Sequence, residues 1–179
     1  MLSIKSAISK RRLILNQSAN MLTMLNLGSG CLSLILLMKG HAQLAAVLIF
    51  AAAICDMYDG KVARSLNVTS DFGKQLDSLA DLISFGVAPA LIIYQNILHE
   101  FSIAGILLTI MYILCGAIRL ARFNVTAFTG SFQGLPIPVA GCLLALAFIS
   151  SYYIPSVLFM FIMLGLSLLM IGTFKVKKV

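Results

Sequence analysis

The sequence predicts an all-α integral membrane protein with six transmembrane helices, and three observations carry that prediction. Of the 179 residues, 60% are hydrophobic and only 11% are charged, with a mean hydropathy of +1.02, whereas soluble domains carry about a quarter charged residues. The apolar residues fall into six runs, 21–38, 42–64, 74–98, 102–121, 135–153 and 156–174, with polar or turn residues between them. None alternates with period two, which argues against a β-barrel and leaves helices to satisfy the backbone in lipid. A hydrocarbon layer of roughly 30 Å takes about 20 helical residues to cross, so the chain has room for about six spans and no separate soluble domain. It reads as a single transmembrane domain over 1–179, with the six-helix core at 20–174.

Ahead of that core, residues 1–16 mix Leu2, Ile4, Ile8 and Leu13 with Lys5, Lys10, Arg11 and Arg12, a pattern suited to a helix lying in the membrane interface. Their order resembles the front of a signal peptide, but Asn16, Gln17, Ser18 and Asn20 break the apolar stretch, so the segment is expected to be retained. The first run places Asn20, Thr23 and Asn26 in one helical stripe. Polar groups inside a membrane either join helices or serve a site. The second and third runs hold Asp56, Asp59, Asp77 and Asp81, and Asp71 lies just ahead of the third; together these are all but one of the acidic residues. The fourth ends in Arg119 and Arg122, one turn apart, then Asn124; the fifth opens with Gly134-Leu135-Pro136-Ile137-Pro138; the sixth is apolar only. Cys31, Cys55, Cys115 and Cys142 show no CxxC spacing and read as small packing residues.

Of the 13 Lys and Arg, all but Lys39 fall on one side of a six-span topology. The positive-inside rule makes that side cytoplasmic, placing both termini there, in a cell membrane. Topology and attraction to anionic lipid headgroups account for the net charge of +7 without a nucleic acid partner.

The aspartates are crowded where spans two and three meet the cytoplasmic side. Carboxylates at membrane depth repel one another and persist where they line a polar cavity, pair with cations or bind metal. Asp56, Asp59, Gly60 and Ala63 follow i, i+3, i+4, i+7, and Gly73, Asp77 and Asp81 follow i, i+4, i+8, so two helices present carboxylates to one space. Oxygen ligands without His or Cys favour Mg²⁺ or Mn²⁺, with Ca²⁺ also fitting, and four carboxylates suffice for two such ions. Gly60, Ala63 and Gly73 keep the walls between them low, which suits a nucleotide diphosphate. Lys61 and Arg64 suit its phosphates and equally suit a plain positive-inside role. Asp71, outside this pattern, reads as a helix N-cap.

Asp56-Met-Tyr-Asp59-Gly60-Lys-Val-Ala63-Arg64, then Gly73, Asp77 and Asp81 at their spacings, resembles the signature of the CDP-alcohol phosphatidyltransferase family at every fixed position. The resemblance implies a six-helix, usually homodimeric fold with its site at the cytoplasmic helix ends. It implies two divalent cations on Asp56, Asp59, Asp77 and Asp81, with Asp81 as general base. Independently, Asp81 is the last carboxylate of the row and lies deepest, where loss of water makes a carboxylate a stronger proton acceptor.

The first-run motif, with Asn20 and Thr23, resembles that of the serine-specific branch of the family, where it helps bind the CDP moiety; Ala19 departs from the Pro common there. Arg119-Leu-Ala-Arg122-Phe-Asn124 and Gly134-Leu-Pro136-Ile-Pro138 resemble the same branch, as does Ser84-Phe-Gly86-Val-Ala-Pro89. In Gly86 and Pro89, helix packing and a kink are the plain reading. The two arginines suit a serine carboxylate or a lipid phosphate, and equally compensate a helix C-terminus. The resemblance therefore implies transfer of a phosphatidyl group from CDP-diacylglycerol to L-serine, releasing CMP. Glycerol-3-phosphate is the rival acceptor and would want more positive charge. A cation carrier is the rival of another class, but it would need polar groups through to the far side, where the spans are nearly uncharged. A structural protein gives no reason for the carboxylates. No activated Ser, Cys or His nucleophile is apparent, so direct transfer is expected.

Overall fold

A computed structural model gives the fold of residues 2–65, 71–125, 132–172 and 175–176, with side chains described for 20–58, 61, 71–125 and 134–172. Helix α1 is a single rod, Leu2–Met38, of 37 residues. The polar stretch 16–20 does not divide it into an interfacial helix and a span, as the sequence had suggested. No Gly or Pro occurs before Gly28, and Asn, Gln and Ser disfavour a helix too weakly to end one. Ala19, standing where Pro is common, leaves the rod uninterrupted.

The rod stops where glycine allows it. Gly40 has φ +82°, its N–H bonds Leu37 O at 3.0 Å and the N–H of His41 bonds Leu36 O at 2.9 Å, the paired bonds of a Schellman C-cap. Helix α2, Ala42–Ser65, then returns along α1, joined to it by the Ser33 hydroxyl, which donates to Ala45 O at 2.7 Å.

The next rod is the hub. It runs as α3, Asp71–Asp81, a π-helical turn, Leu82–Val87, and α4, Ala88–Asn96. It begins three residues earlier than the apolar run, so Asp71 lies in the first turn, where a carboxylate meets the positive end of the helix dipole, rather than ahead of the helix. In its most apolar stretch 56% of residues are buried, against 28% in each of Asn20–Met38 and Leu98–Val125. Pro89 has no N–H to offer the carbonyl four residues back, that of Phe85, and the buried Tyr112 hydroxyl donates to that oxygen at 3.1 Å. A carbonyl left unpaired in an apolar interior would cost about 1–3 kcal/mol.

Tyr112 belongs to α5, Ser102–Val125, reached through a 3₁₀ turn, Leu98–Phe101. Helix α6, Ile137–Ile149, is shorter than its apolar run because Pro136 fixes an extended entry, φ −58° and ψ 138°, and prolines begin helices more readily than they continue them. Gly134, φ +74°, lies so close to α7, Ser156–Ile171, that a Cβ would meet Met170 O at 2.6 Å. Two short strands, β1 (Phe132–Gln133) and β2 (Lys175–Val176), pair antiparallel beside this junction.

Three helices are long and apolar enough to cross a membrane, Asn20–Met38, Asp71–Asn96 and Leu98–Val125; the apolar stretches Ala42–Tyr58, Ile137–Ile149 and Ser156–Ile171 are shorter. The chain is thus an all-helical membrane protein in its described residues, apart from the two-residue strands. The four cysteines are free.

Close backbone contact holds the hub in place. A methyl group at Gly141 of α6 would lie 2.7 Å from the Cα, Cβ and O of Phe85, and one at Gly30 of α1 would lie 2.9 Å from the Cα of Ser84, whereas at Gly165 of α7 it would meet nothing within 4 Å. Gly141→Ala is expected to destabilise the protein by about 1–3 kcal/mol through overpacking, and Gly165→Ala to leave it unchanged or stabilise it by up to about 1 kcal/mol. Thermal unfolding of the two variants in detergent measures both; equal melting temperatures would contradict the packing described.

Candidate functional site

The site forms where the last turns of α2 face α3. Asp56 on α2 and Asp77 and Asp81 on α3 each bring one carboxylate oxygen to within 4.8 Å of the others. Asp81 is buried, 8% exposed, while Asp56 and Asp77 are half-buried. The side chains of Asp56 and Asp81 are in hydrogen-bonding contact. Carboxylates this close repel one another strongly unless a proton or a cation stands between them. The donor set is all oxygen and contains no His or Cys, so it fits a hard divalent cation.

Asp81 is the last residue before the π turn, which makes its neighbours specific. Asn26 of α1, completely buried, donates from Nδ2 to Asp81 Oδ1 at 3.3 Å. One turn along, the Ser84 hydroxyl donates to the Asn26 carbonyl at 3.0 Å. The spacing of Asn20, Thr23 and Asn26 had marked this face of α1, and Asn26 on it reaches the carboxylates. Thr23 is buried and Asn20 half-buried on the same stripe. The oxygen of the Asn26 amide has no hydrogen-bond partner among the described residues.

The α5 end divides into different roles. Arg119 is half-buried, interacts electrostatically with Asp81, and its Nε has no hydrogen-bond partner among the described residues. Arg122 donates to Ile171 O at 3.1 Å, the last carbonyl of α7, where a cation stabilises a helix C-terminus. Asn124 donates from Nδ2 to Ser78 Oγ at 2.9 Å and Gln75 Oε1 at 3.4 Å, and its carbonyl accepts from Lys74 at 3.2 Å. It therefore latches α5 to α3 around Asp77. Sequence spacing alone could not separate these three residues, since only the positions of α3 and α7 distinguish them.

Gly73 is half-buried on the first turn of α3. Asp59, Gly60, Ala63 and Arg64 lie on the helical backbone of α2, but their side chains are outside the described residues.

Known proteins resemble this chain over most of its length. The family model described as CDP-alcohol phosphatidyltransferase matches residues 16–172. The chain is 40% identical over 163 residues to an archaetidylserine synthase of Methanothermobacter thermautotrophicus, covering 89% of this chain and 69% of that protein. It is 41% identical over 130 residues to a CDP-diacylglycerol–serine O-phosphatidyltransferase of Bacillus subtilis, covering 72% and 73%. A similarly named protein of Methanocaldococcus jannaschii is 43% identical over 159 residues, covering 87% and 71%. A carboxylate cluster built from two facing helices and a family match over nearly the whole chain lead to one conclusion: this protein belongs to the CDP-alcohol phosphatidyltransferase family.

Proposed function

We propose that the protein is a phosphatidylserine synthase, transferring the phosphatidyl group of CDP-diacylglycerol to the hydroxyl of L-serine with release of CMP. The observation that carries this reading is the convergence of Asp56, Asp77 and Asp81 in a chain whose relatives are named as an archaetidylserine synthase and as CDP-diacylglycerol–serine O-phosphatidyltransferases. In this reading six helices span the cell membrane, the catalytic domain is the whole of 1–179, two copies pair, and the termini and site face the cytoplasm. The one-sided distribution of Lys and Arg supports that orientation.

Asp81 accepts the proton of the serine hydroxyl. The serine oxygen attacks the phosphorus that carries diacylglycerol, a new P–O bond forms, the bond to CMP breaks, and CMP leaves with the electron pair. Asn26 donates to one oxygen of Asp81 and so fixes the orientation of the carboxylate. Asn20, Thr23, Gly60, Ala63, Arg64 and Gly73 line the CDP moiety and its diphosphate. Arg119 takes the serine carboxylate, while Arg122 and Asn124 hold α5 against α7 and α3 and so fix where Arg119 stands. Two divalent cations on Asp56, Asp59, Asp77 and Asp81, Mg²⁺ or Mn²⁺, would supply positive charge to the diphosphate and the leaving group.

CMP release from CDP-diacylglycerol by the purified protein, compared across serine, glycerol-3-phosphate, inositol and no acceptor, tests the acceptor. Serine-dependent release is expected, reduced at least about 100-fold in Asp81→Asn. Release with another alcohol alone would replace serine as acceptor. EDTA is expected to abolish release and excess Mg²⁺ or Mn²⁺ to restore it, whereas release that survives exhaustive chelation would remove the cations from the reaction. The arginines separate by readout: Arg119→Gln is expected to raise the KM for serine at least about 10-fold. Arg122→Gln is expected to lower stability by about 1 kcal/mol with that KM little changed, and the reverse pattern would exchange their roles.

A further inference from the structure

Asn26 offers more than its bond to Asp81. It is completely buried, and its Nδ2 is spent on the carboxylate at 3.3 Å. The oxygen of the same amide is a buried acceptor with no partner among the described residues. Such an atom costs free energy unless something fills it, and in a native interior it calls for an explanation. Rotating the amide would not help, because its oxygen would then face the carboxylate. The local backbone is pinned as well: Ser84 donates to the Asn26 carbonyl at 3.0 Å, and a methyl group at Gly30, one turn further along α1, would lie 2.9 Å from the Cα of Ser84. The acceptor is thus fixed beside Asp81.

A second orphan is associated with the same carboxylate. Arg119 interacts electrostatically with Asp81, and its Nε is a buried donor without a partner among the described residues. Asp81 therefore has an unfilled neutral acceptor on α1 and an unfilled cationic donor on α5. An α-amino acid carrying a hydroxyl supplies the complement of all three: an ammonium for the acceptor, a carboxylate for the guanidinium and a hydroxyl for the base. Glycerol-3-phosphate has no donor of that strength for the acceptor, so binding it would leave Asn26 Oδ1 without a charged partner.

We infer that Asn26 is a specificity-determining residue whose Oδ1 accepts a hydrogen bond from the ammonium group of the acceptor substrate. This rests on the serine reading above. Sites that hydrogen-bond a substrate group reject analogues lacking it, because the site's own buried group is then left unpaired.

The test removes the interaction from either side. CMP release is measured for the full-length protein in detergent with L-serine and with 3-hydroxypropanoate, which keeps the hydroxyl and carboxylate but lacks the ammonium. Wild type is expected to prefer serine in kcat/KM by about 10- to 100-fold, and Asn26→Leu to lose most of that preference. A residue that merely supports Asp81 would slow both acceptors equally and leave their ratio unchanged, so an unchanged ratio overturns the inference. So does a wild type that uses serine and 3-hydroxypropanoate equally well. Asn26→Ser, smaller and polar, carries the same comparison if the leucine variant does not fold. Absence of serine-dependent release from wild type is a separate outcome, which removes the acceptor assignment and this inference with it.

Discussion

Three carboxylates with oxygens within 4.8 Å of one another, inside a helical membrane protein, are the constraint on which the rest of the structure depends. Wherever no proton or cation stands between them, their mutual repulsion pushes α2 and α3 apart, and the low dielectric of the surroundings strengthens that push. The scaffold has to hold these helices at a fixed separation whether or not a cation is present. Flexible side-chain packing would yield to such a force. Backbone-to-backbone contact at glycines yields far less, and that is the contact found around the hub.

The hub is locked from three sides. Gly30 of α1 and Gly141 of α6 leave no room for a methyl group against Ser84 and Phe85, and Tyr112 of α5 bonds the Phe85 carbonyl. All three contacts fall on the π turn, Leu82–Val87, directly after Asp81. A π turn shifts the helical register by about one residue and is frequent at functional sites. Here it is followed by Pro89, whose missing N–H makes Tyr112 useful. The turn that adjusts the direction of the rod is therefore also the place where the neighbouring helices hold it, one residue from the deepest carboxylate.

The polar residues around the site divide by what they touch. Asn124, with Lys74, Gln75 and Ser78, ties the end of α5 to the first turns of α3. Arg122 caps α7. These contacts settle the position of α5 and hence of Arg119, which interacts electrostatically with Asp81. Asn26 plays the corresponding part from α1. Among the described residues Asn26 Oδ1, Arg119 Nε and Asn124 Oδ1 are buried without hydrogen-bond partners, and the first two belong to residues that interact with Asp81; a polar cluster that satisfied itself would leave no such atoms.

Much of this was legible in the sequence, because its carriers are local. Hydropathy marked the helices, since a chain in lipid has to bury its backbone bonds within each segment. The i, i+3, i+4 and i, i+4, i+8 spacings placed Asp56, Asp77 and Asp81 on facing surfaces, since helical geometry fixes which side chains share a face. The same rule singled out the stripe containing Asn26. Other features were not legible. The unbroken α1, the early start of α3 at Asp71 and the late start of α6 at Ile137 depend on end effects that hydropathy does not measure. The π turn, the α7 cap at Arg122 and the Asn124 latch each depend on a partner between 27 and 50 positions away or on the register that such partners impose. The sequence determined which residue types would meet in the membrane, because period and polarity are properties of neighbours along the chain. Only the tertiary structure decided that Arg119 interacts with Asp81 and which polar side-chain atoms are left open, because hydrogen bonds are filled or left vacant by side chains from other helices.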